Sequence, residues 1–256
     1  MNVRLENDGA LAILTLDRPD RLNAMADPMW EALHGHLAAV AADEAIRAVI
    51  LTGAGRAFCS GGDVTGMAKS DIVSGRARSQ KRHRTVLALY NLEKPVIAAV
   101  RGPVYGIGNA LALACDIVIA SDTAKFSMAF KKVGIVPDGG AVFFLTQHLG
   151  LARAKELVYT ARVVPANEAL ALGLVARVVP DDRLETEARA LATELAESAT
   201  YALALAKKMF HSMYVPTLEQ LMELETLATG AARLTQDHQE GVSAFKEKRP
   251  PKFLGK

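Results

Sequence analysis

The stretch KPVIAAVRGPVYGIGNALALACDIVIA, Lys94 to Ala120, decides the fold. Its first part, VIAAV at Val96 to Val100, is a short apolar run rich in strand formers, and IVIA at Ile117 to Ala120 is another. Between them lie a glycine-bearing turn and a small-residue segment that reads as a helix. An upstream stretch repeats the design: IRAVIL, Ile46 to Leu51, leads into a second glycine turn, FCSGGD, at Phe58 to Asp63. Strands that alternate with helical segments in this order predict crossover connections and a buried, largely parallel sheet.

Working outward, Val3 to Glu6 and Ala10 to Leu16 flank Asn7-Asp8-Gly9, which predicts a hairpin. Asp27 followed by Pro28 reads as an N-cap and first helical residue, and Trp30, Leu33, Leu37 and Val40 recur at helical spacing down to Asp43. These elements make residues 1–180 an α/β core. From Asp181 the strand signals stop. Leu184, Leu191, Leu195, Leu203, Met209, Leu221, Leu224 and Leu227 lie in helical patterns, so residues 181–256 are expected to form a helical C-terminal segment. That segment is expected to pack on the core or on a neighbouring subunit.

With 256 residues, half of them hydrophobic, the chain can bury a full core. The formal net charge of +2 is too small and too dispersed to argue for a nucleic-acid surface. The one basic run, KSDIVSGRARSQKRHR at Lys69 to Arg84, reads as a solvated helix face or loop, with a lid near an anionic ligand as the alternative. Cys59 and Cys115 lack the spacing of a disulfide framework or a zinc site, and His34 and His36 diverge on their helix, so no metal is expected. A charged MNVRLENDGA and the lack of any bilayer-length apolar segment point to a cytoplasmic protein without membrane association.

The two glycine turns fit none of the common nucleotide loops. GIGNAL has Leu111 where a dinucleotide fingerprint needs a third small residue. GAGRAFCSGG lacks the GK[ST] ending of a phosphate loop, and Ser60 is not in a G-x-S-x-G elbow. What remains is a pair of strand-to-helix turns whose unpaired backbone amides point outward. Two such amides can converge on one oxygen and stabilise charge that develops there. The plainer use of the same glycines is to permit tight turns.

Taken together, these motifs resemble the crotonase, or enoyl-CoA hydratase/isomerase, superfamily over nearly the whole chain. RPDRLNAM (Arg18 to Met25) is similar to its first CoA-contacting loop, AFCSGGDV (Ala57 to Val64) to its first oxyanion turn, Lys94 to Ala120 to its second, and VSAFKEKRPPKF (Val242 to Phe253) to its closing helix. The resemblance implies a spiral of stacked β-β-α units with a helical C-terminal segment, assembled as a homotrimer or dimer of trimers. It implies that the amides of Gly62 and Ile107 form the oxyanion hole, with Gly106 and Gly108 allowing the second turn. It further implies that Arg21, Leu22, Ala24 and Ser60 to Val64, including Asp63, line a channel for coenzyme A, with Lys248 of a neighbouring subunit a phosphate contact. Coenzyme A would then be part of the substrate, with no tightly bound cofactor.

Hydratases of the superfamily hold water between two glutamates, and those positions align here with Ala110 and Phe130. Neither side chain can move a proton. Another carboxylate stands in GIVPDGG at Asp138, where isomerases of the superfamily carry their acid. The expectation is therefore an acyl-CoA isomerase that shifts a double bond through an enolate, with Asp138 as the single acid/base behind a wall of Phe126, Phe130, Val136 and Phe143. Asp138 after Pro137 is also a good helix cap. Three alternatives stand beside the isomerase: a hydratase or other lyase, a non-catalytic acyl-CoA binder, and an aroyl-CoA dehalogenase. In the last, His83 falls on the base and Asp138 on the nucleophile, although Phe130 replaces a family tryptophan.

Overall fold

The computed structural model of the chain describes residues 3–63, 72–133, 135–213, 235–247 and 249–256. Its strands are β1 (Val3–Asp8), β2 (Leu11–Leu16), β3 (Ala48–Gly53), β4 (Val96–Val100), β5 (Pro103–Tyr105), β6 (Ile117–Ser121), β7 (Lys125–Ser127), β8 (Val164–Pro165) and β9 (Arg177–Val179). Six of them form one sheet in the order β1-β2-β3-β4-β6-β9, and a second sheet pairs β5, β7 and β8. The large sheet is parallel from β2 onward, with β1 antiparallel at its edge. In the hairpin, Asp8 pairs with Leu11, so Asn7 and Asp8 belong to the strand and the turn falls on Gly9-Ala10. Gly9 supplies the positive φ of +59° that this tight turn needs.

The helices are α1 (Asp27–Ala42), α2 (Ile72–Tyr90), α3 (Ile107–Leu113), α4 (Ala141–Thr160), α5 (Ala166–Leu172), α6 (Leu184–Ala196), α7 (Thr200–Ser212) and α8 (Gln236–Glu247). Helix α4 is broken at Gly150, whose φ is +72°. Asp27 does not cap α1: Ala26 holds the cap position without a side-chain bond, and the Asp27 carboxylate instead meets Arg82 of α2 at 3.3 Å. The basic run is thus partly docked. Beside Arg82, Lys81 pairs with Glu31 at 3.0 Å, and Thr85 Oγ1 donates to the Trp30 carbonyl.

Strand alternation divides the core. Val49, Leu51, Val96, Ala98 and Val100 face a cluster shared with α1, α3 and α4, while Ala48, Ile50, Ile97, Ala99 and Ile119 face one shared with α6. Helix α6 contributes Leu184, Ala188, Leu191, Ala192 and Ala196 to that second face. A parallel sheet needs both faces covered, which is why its strands read as continuous apolar runs rather than alternating ones. Each large side chain fully buried this way stabilises by about 1.5–3 kcal/mol. Leu221, Leu224 and Leu227 lie outside the described residues. Among the described residues no helix is long and apolar enough to cross a membrane.

Candidate active site

Both glycine turns are held side by side by backbone hydrogen bonds. Phe58 N donates to the Arg101 carbonyl at 2.8 Å, Cys59 N to Pro103 O at 3.0 Å, and Tyr105 N returns to Cys59 O at 2.9 Å. Helix α3 then starts directly against the first turn. A Cβ on Gly108 would lie 2.5 Å from the Cys59 carbonyl oxygen and 2.7 Å from its Cβ, so only glycine allows this approach. The Cys59 thiol is fully buried there, and desolvation pushes its pKa up to about 12. Cys59 is a neutral packing group, not a nucleophile.

Within this frame two amides are left over. Gly62 bridges Met25, but its neighbours make the bonds: Met25 N donates to Gly61 O at 2.8 Å and Asp63 N to Met25 O at 3.0 Å. Ile107 opens α3, while Asn109 and Ala110 donate back to the Gly106 carbonyl. Among the described residues neither the Gly62 nor the Ile107 N–H has an acceptor, as expected for a turn and for the first N–H of a helix. Both residues border one cavity of about 120 Å³. Asp138, Arg82 and Ser60 are among its polar lining residues, and Trp30, Ala129, Phe130 and Ile135 form its apolar wall.

The loop before α1 lies against the first turn. Its residues 19–21 make one 3-10 turn, after which Leu22 and Asn23 adopt φ of +49° and +56°. Ser60 N donates to Leu22 O at 2.9 Å, and Ser60 Oγ to Arg21 O at 3.3 Å. Ala24 N donates to Arg21 O, and the Ala24 carbonyl accepts from Arg18 Nη1. Asp63 is turned away into an ion pair with Arg18. Asn23, which the sequence reading passed over, is fully buried and stitches the two loops together. Its Nδ2 donates to Ala54 O at 2.9 Å and Ala57 O at 2.7 Å, and its Oδ1 accepts from Arg18 N at 2.8 Å. Asparagine's tolerance of left-handed backbone was the available signal. Val64 and Lys248 lie outside the described residues.

Asp138 stands across the cavity in the loop that leads to α4. Gly139 and Gly140 follow it with φ of +66° and +78°. Asp138 does not cap the helix. Gly140 occupies the cap position with no side-chain bond, and only the Asp138 backbone carbonyl reaches Ala141 N, at 3.3 Å. Its side-chain Oδ1 accepts from Gly139 N at 2.7 Å and meets His83 Nε2 at 2.7 Å, while Oδ2 has Arg82 Nη1 at 3.9 Å. The Asp138 loop touches the second glycine turn: a Cβ on Gly139 would lie 2.2 Å from Ile107 Cδ1 and 3.6 Å from Ala110 Cβ. Among the residues lining the cavity, Asp138 is the one carboxylate, and Phe130 lies in its apolar wall.

The expected wall is corrected in three places. Val136 is 78% exposed, Phe126 is buried in the core away from the cavity, and Phe143 packs edge-on against Tyr90 and Phe144. Those rings border a second cavity of about 430 Å³ between α2, α4 and α7. There His211 stacks on Tyr90 at 3.5 Å, and burial, aided by the nearby Lys207 charge, lowers its pKa to about 4. No cluster of histidine, cysteine and carboxylate groups suited to a metal occurs among the described residues.

Residues 6–256 match the family model described as enoyl-CoA hydratase/isomerase. The chain is 39% identical to a probable enoyl-CoA hydratase of Rhodobacter capsulatus over 254 residues, covering 99% of this chain and 98% of that one. It is 41% identical to the 1,2-epoxyphenylacetyl-CoA isomerase of Escherichia coli over 250 residues, covering 95% and 94%. The crystal structure of an enoyl-CoA hydratase from Bacillus anthracis superposes with a TM-score of 0.95 at 33% identity, covering all of both chains. A two-sided parallel sheet carrying two apposed glycine turns, matched end to end by these proteins, defines the crotonase fold. The protein belongs to the enoyl-CoA hydratase/isomerase family.

Proposed function

We propose that the protein is an acyl-CoA isomerase that moves a double bond along an unsaturated acyl group. The observation that carries the reading is the lining of the catalytic cavity: two unpaired amides, one carboxylate, and no second side chain besides Asp138 that can take up a proton, with Arg82 and Ser60 as its other polar side chains. The Gly62 and Ile107 N–H groups would hold the thioester oxygen, and loss of one such donor typically costs about 10²–10³ in rate. Asp138 would take a proton from one carbon of the acyl chain and return it to another, a role worth about 10²–10⁴. Hydration needs a second proton-transfer group near the α-carbon, and Ala110 and Phe130 offer none. Several relatives are named hydratases, but one of the two described above is named an isomerase.

In this reading coenzyme A is carried by the substrate, with Arg21, Leu22, Ala24 and Ser60 at the mouth of its channel. The family resemblance also favours a homotrimer or a dimer of trimers. A second reading, hydrolytic dehalogenation of an aroyl-CoA with Asp138 as nucleophile, gains from the 2.7 Å contact between His83 and Asp138. The deciding assay offers native protein and Asp138→Ala a 3-enoyl-CoA, a 2-enoyl-CoA and a 4-halobenzoyl-CoA. Double-bond migration by native protein, lost in the variant, is the expected result. Water addition to the 2-enoyl substrate alone, or halide release, would replace the isomerase reading.

A further inference from the structure

His83 belongs to the basic run that first reads as a solvated helix face, and its side chain is 49% exposed. Yet its Nε2 lies 2.7 Å from Asp138 Oδ1, and the Gly139 amide donates to the same oxygen at 2.7 Å. An oxygen that accepts two bonds has its lone pairs committed and its direction fixed. Among the described residues the other oxygen, Oδ2, has only Arg82 Nη1 at 3.9 Å, beyond hydrogen-bond reach. Among the described residues the charged groups facing this carboxyl are Arg82 and His83, both from α2, and Arg82 is itself drawn toward Asp27 of α1 at 3.3 Å.

From this geometry we infer that His83 is the positioning residue of the acid/base, and that a single oxygen, Asp138 Oδ2, both removes and returns the proton. The inference rests on the isomerase reading. In the first step Oδ2 takes a proton from the α-carbon of a 3-enoyl group, the C–H bonding pair becomes a double bond between the α-carbon and the carbonyl carbon, and the carbonyl π pair moves onto the thioester oxygen. In the second step the oxygen pair reforms the carbonyl, the enolate pair shifts to join the α- and β-carbons, the former double-bond pair forms a C–H bond at the γ-carbon with the proton held on Oδ2, and the carboxylate is restored. Atoms and charge balance without a co-reactant. Because the proton sits on the oxygen that His83 does not touch, part of it passes directly from substrate to product.

The test follows label and rate together. A 3-enoyl-CoA deuterated at its α-carbon is turned over in ordinary water by native protein, His83→Phe and His83→Gln. Native product is expected to keep part of the deuterium at the γ-carbon. His83→Phe should lower kcat by about 10- to 100-fold, the usual cost of a misplaced catalytic group, with KM changed less than about twofold. It should also lower label retention, because the freed carboxyl exchanges its proton. The Gln amide can still donate to Oδ1, so His83→Gln should recover much of both. A His83→Phe variant with native kcat, or with unchanged label retention, overturns the inference, as does a Gln variant no better than Phe. Any of these leaves the isomerase reading standing, whereas native protein without double-bond migration overturns both.

Discussion

The two glycine turns and the Asp138 loop face one cavity but are anchored by unlike means. Residues 58–59 are laced to 101–105 by backbone hydrogen bonds, and Gly108 lets α3 close onto a fully buried Cys59. Asp138 is instead 24% exposed in its side chain, sits between a proline and two left-handed glycines, and is reached by two side chains of α2. In the proposed reading, main-chain geometry would set where the thioester oxygen is polarised, and replaceable side chains would set what happens to the neighbouring carbons. A fold built this way can keep the first function while the second changes.

The widest gap between the two halves should come from Asp138→Ala. It is expected to cost about 10²–10⁴ in kcat. Calorimetric binding of a saturated acyl-CoA should stay within about threefold, because the amides proposed to hold the thioester are untouched. Binding that collapses along with turnover would erase the proposed division.

Gly108→Ala attacks the other half. The new methyl must displace a backbone carbonyl, an overpacking cost of about 1–3 kcal/mol that should lower the melting temperature by about 2–12 °C. Since α3 carries Ile107, both binding and kcat should fall, by about 10²-fold in kcat if one donor is lost. A variant with lowered melting temperature but native kinetics would show that the two turns are not rigidly coupled.

The smallest effect lies away from both halves, at His211. Its folded pKa of about 4 is below the value of about 6.5 in an unfolded chain, so between those values the unfolded chain binds a proton that the native one refuses. Stability from this group is complete above about pH 6.5 and declines as pH falls toward 4. The imidazole is only partly buried, so the slope should be a fraction of the about 1.4 kcal/mol per pH unit that one proton can carry. His211→Phe, which can keep the stack on Tyr90, should flatten the native decline of melting temperature over that window while leaving kcat unchanged. Parallel declines in both proteins would remove His211 as the cause.

What the sequence revealed follows the same division. The strands at Val96 to Val100 and Ile117 onward were legible because a sheet covered on both faces writes itself as continuous apolar runs. The two turns were legible through their glycines. Asp27 as a cap was misread because the local motif Asp-Pro cannot show that Arg82, far along the chain, draws the carboxylate away. Val136 and Phe143 were misplaced in the wall for a similar reason: a loop with two consecutive left-handed glycines turns its neighbours in directions that composition does not encode. The meeting of His83 with Asp138 depends on how α2 docks on α1, through Lys81–Glu31 and Thr85–Trp30, and no short motif announces it.

The central claim is the convergence of two amides on one oxygen with the acid beside the adjoining carbons. A crystal structure with a saturated, unreactive acyl-CoA tests it most directly. The account predicts the thioester oxygen about 2.7–3.1 Å from both Gly62 N and Ile107 N, with Asp138 Oδ2 over the α- and γ-carbons. A thioester seated elsewhere in the molecule, or one whose acyl carbons point away from Asp138, would contradict it.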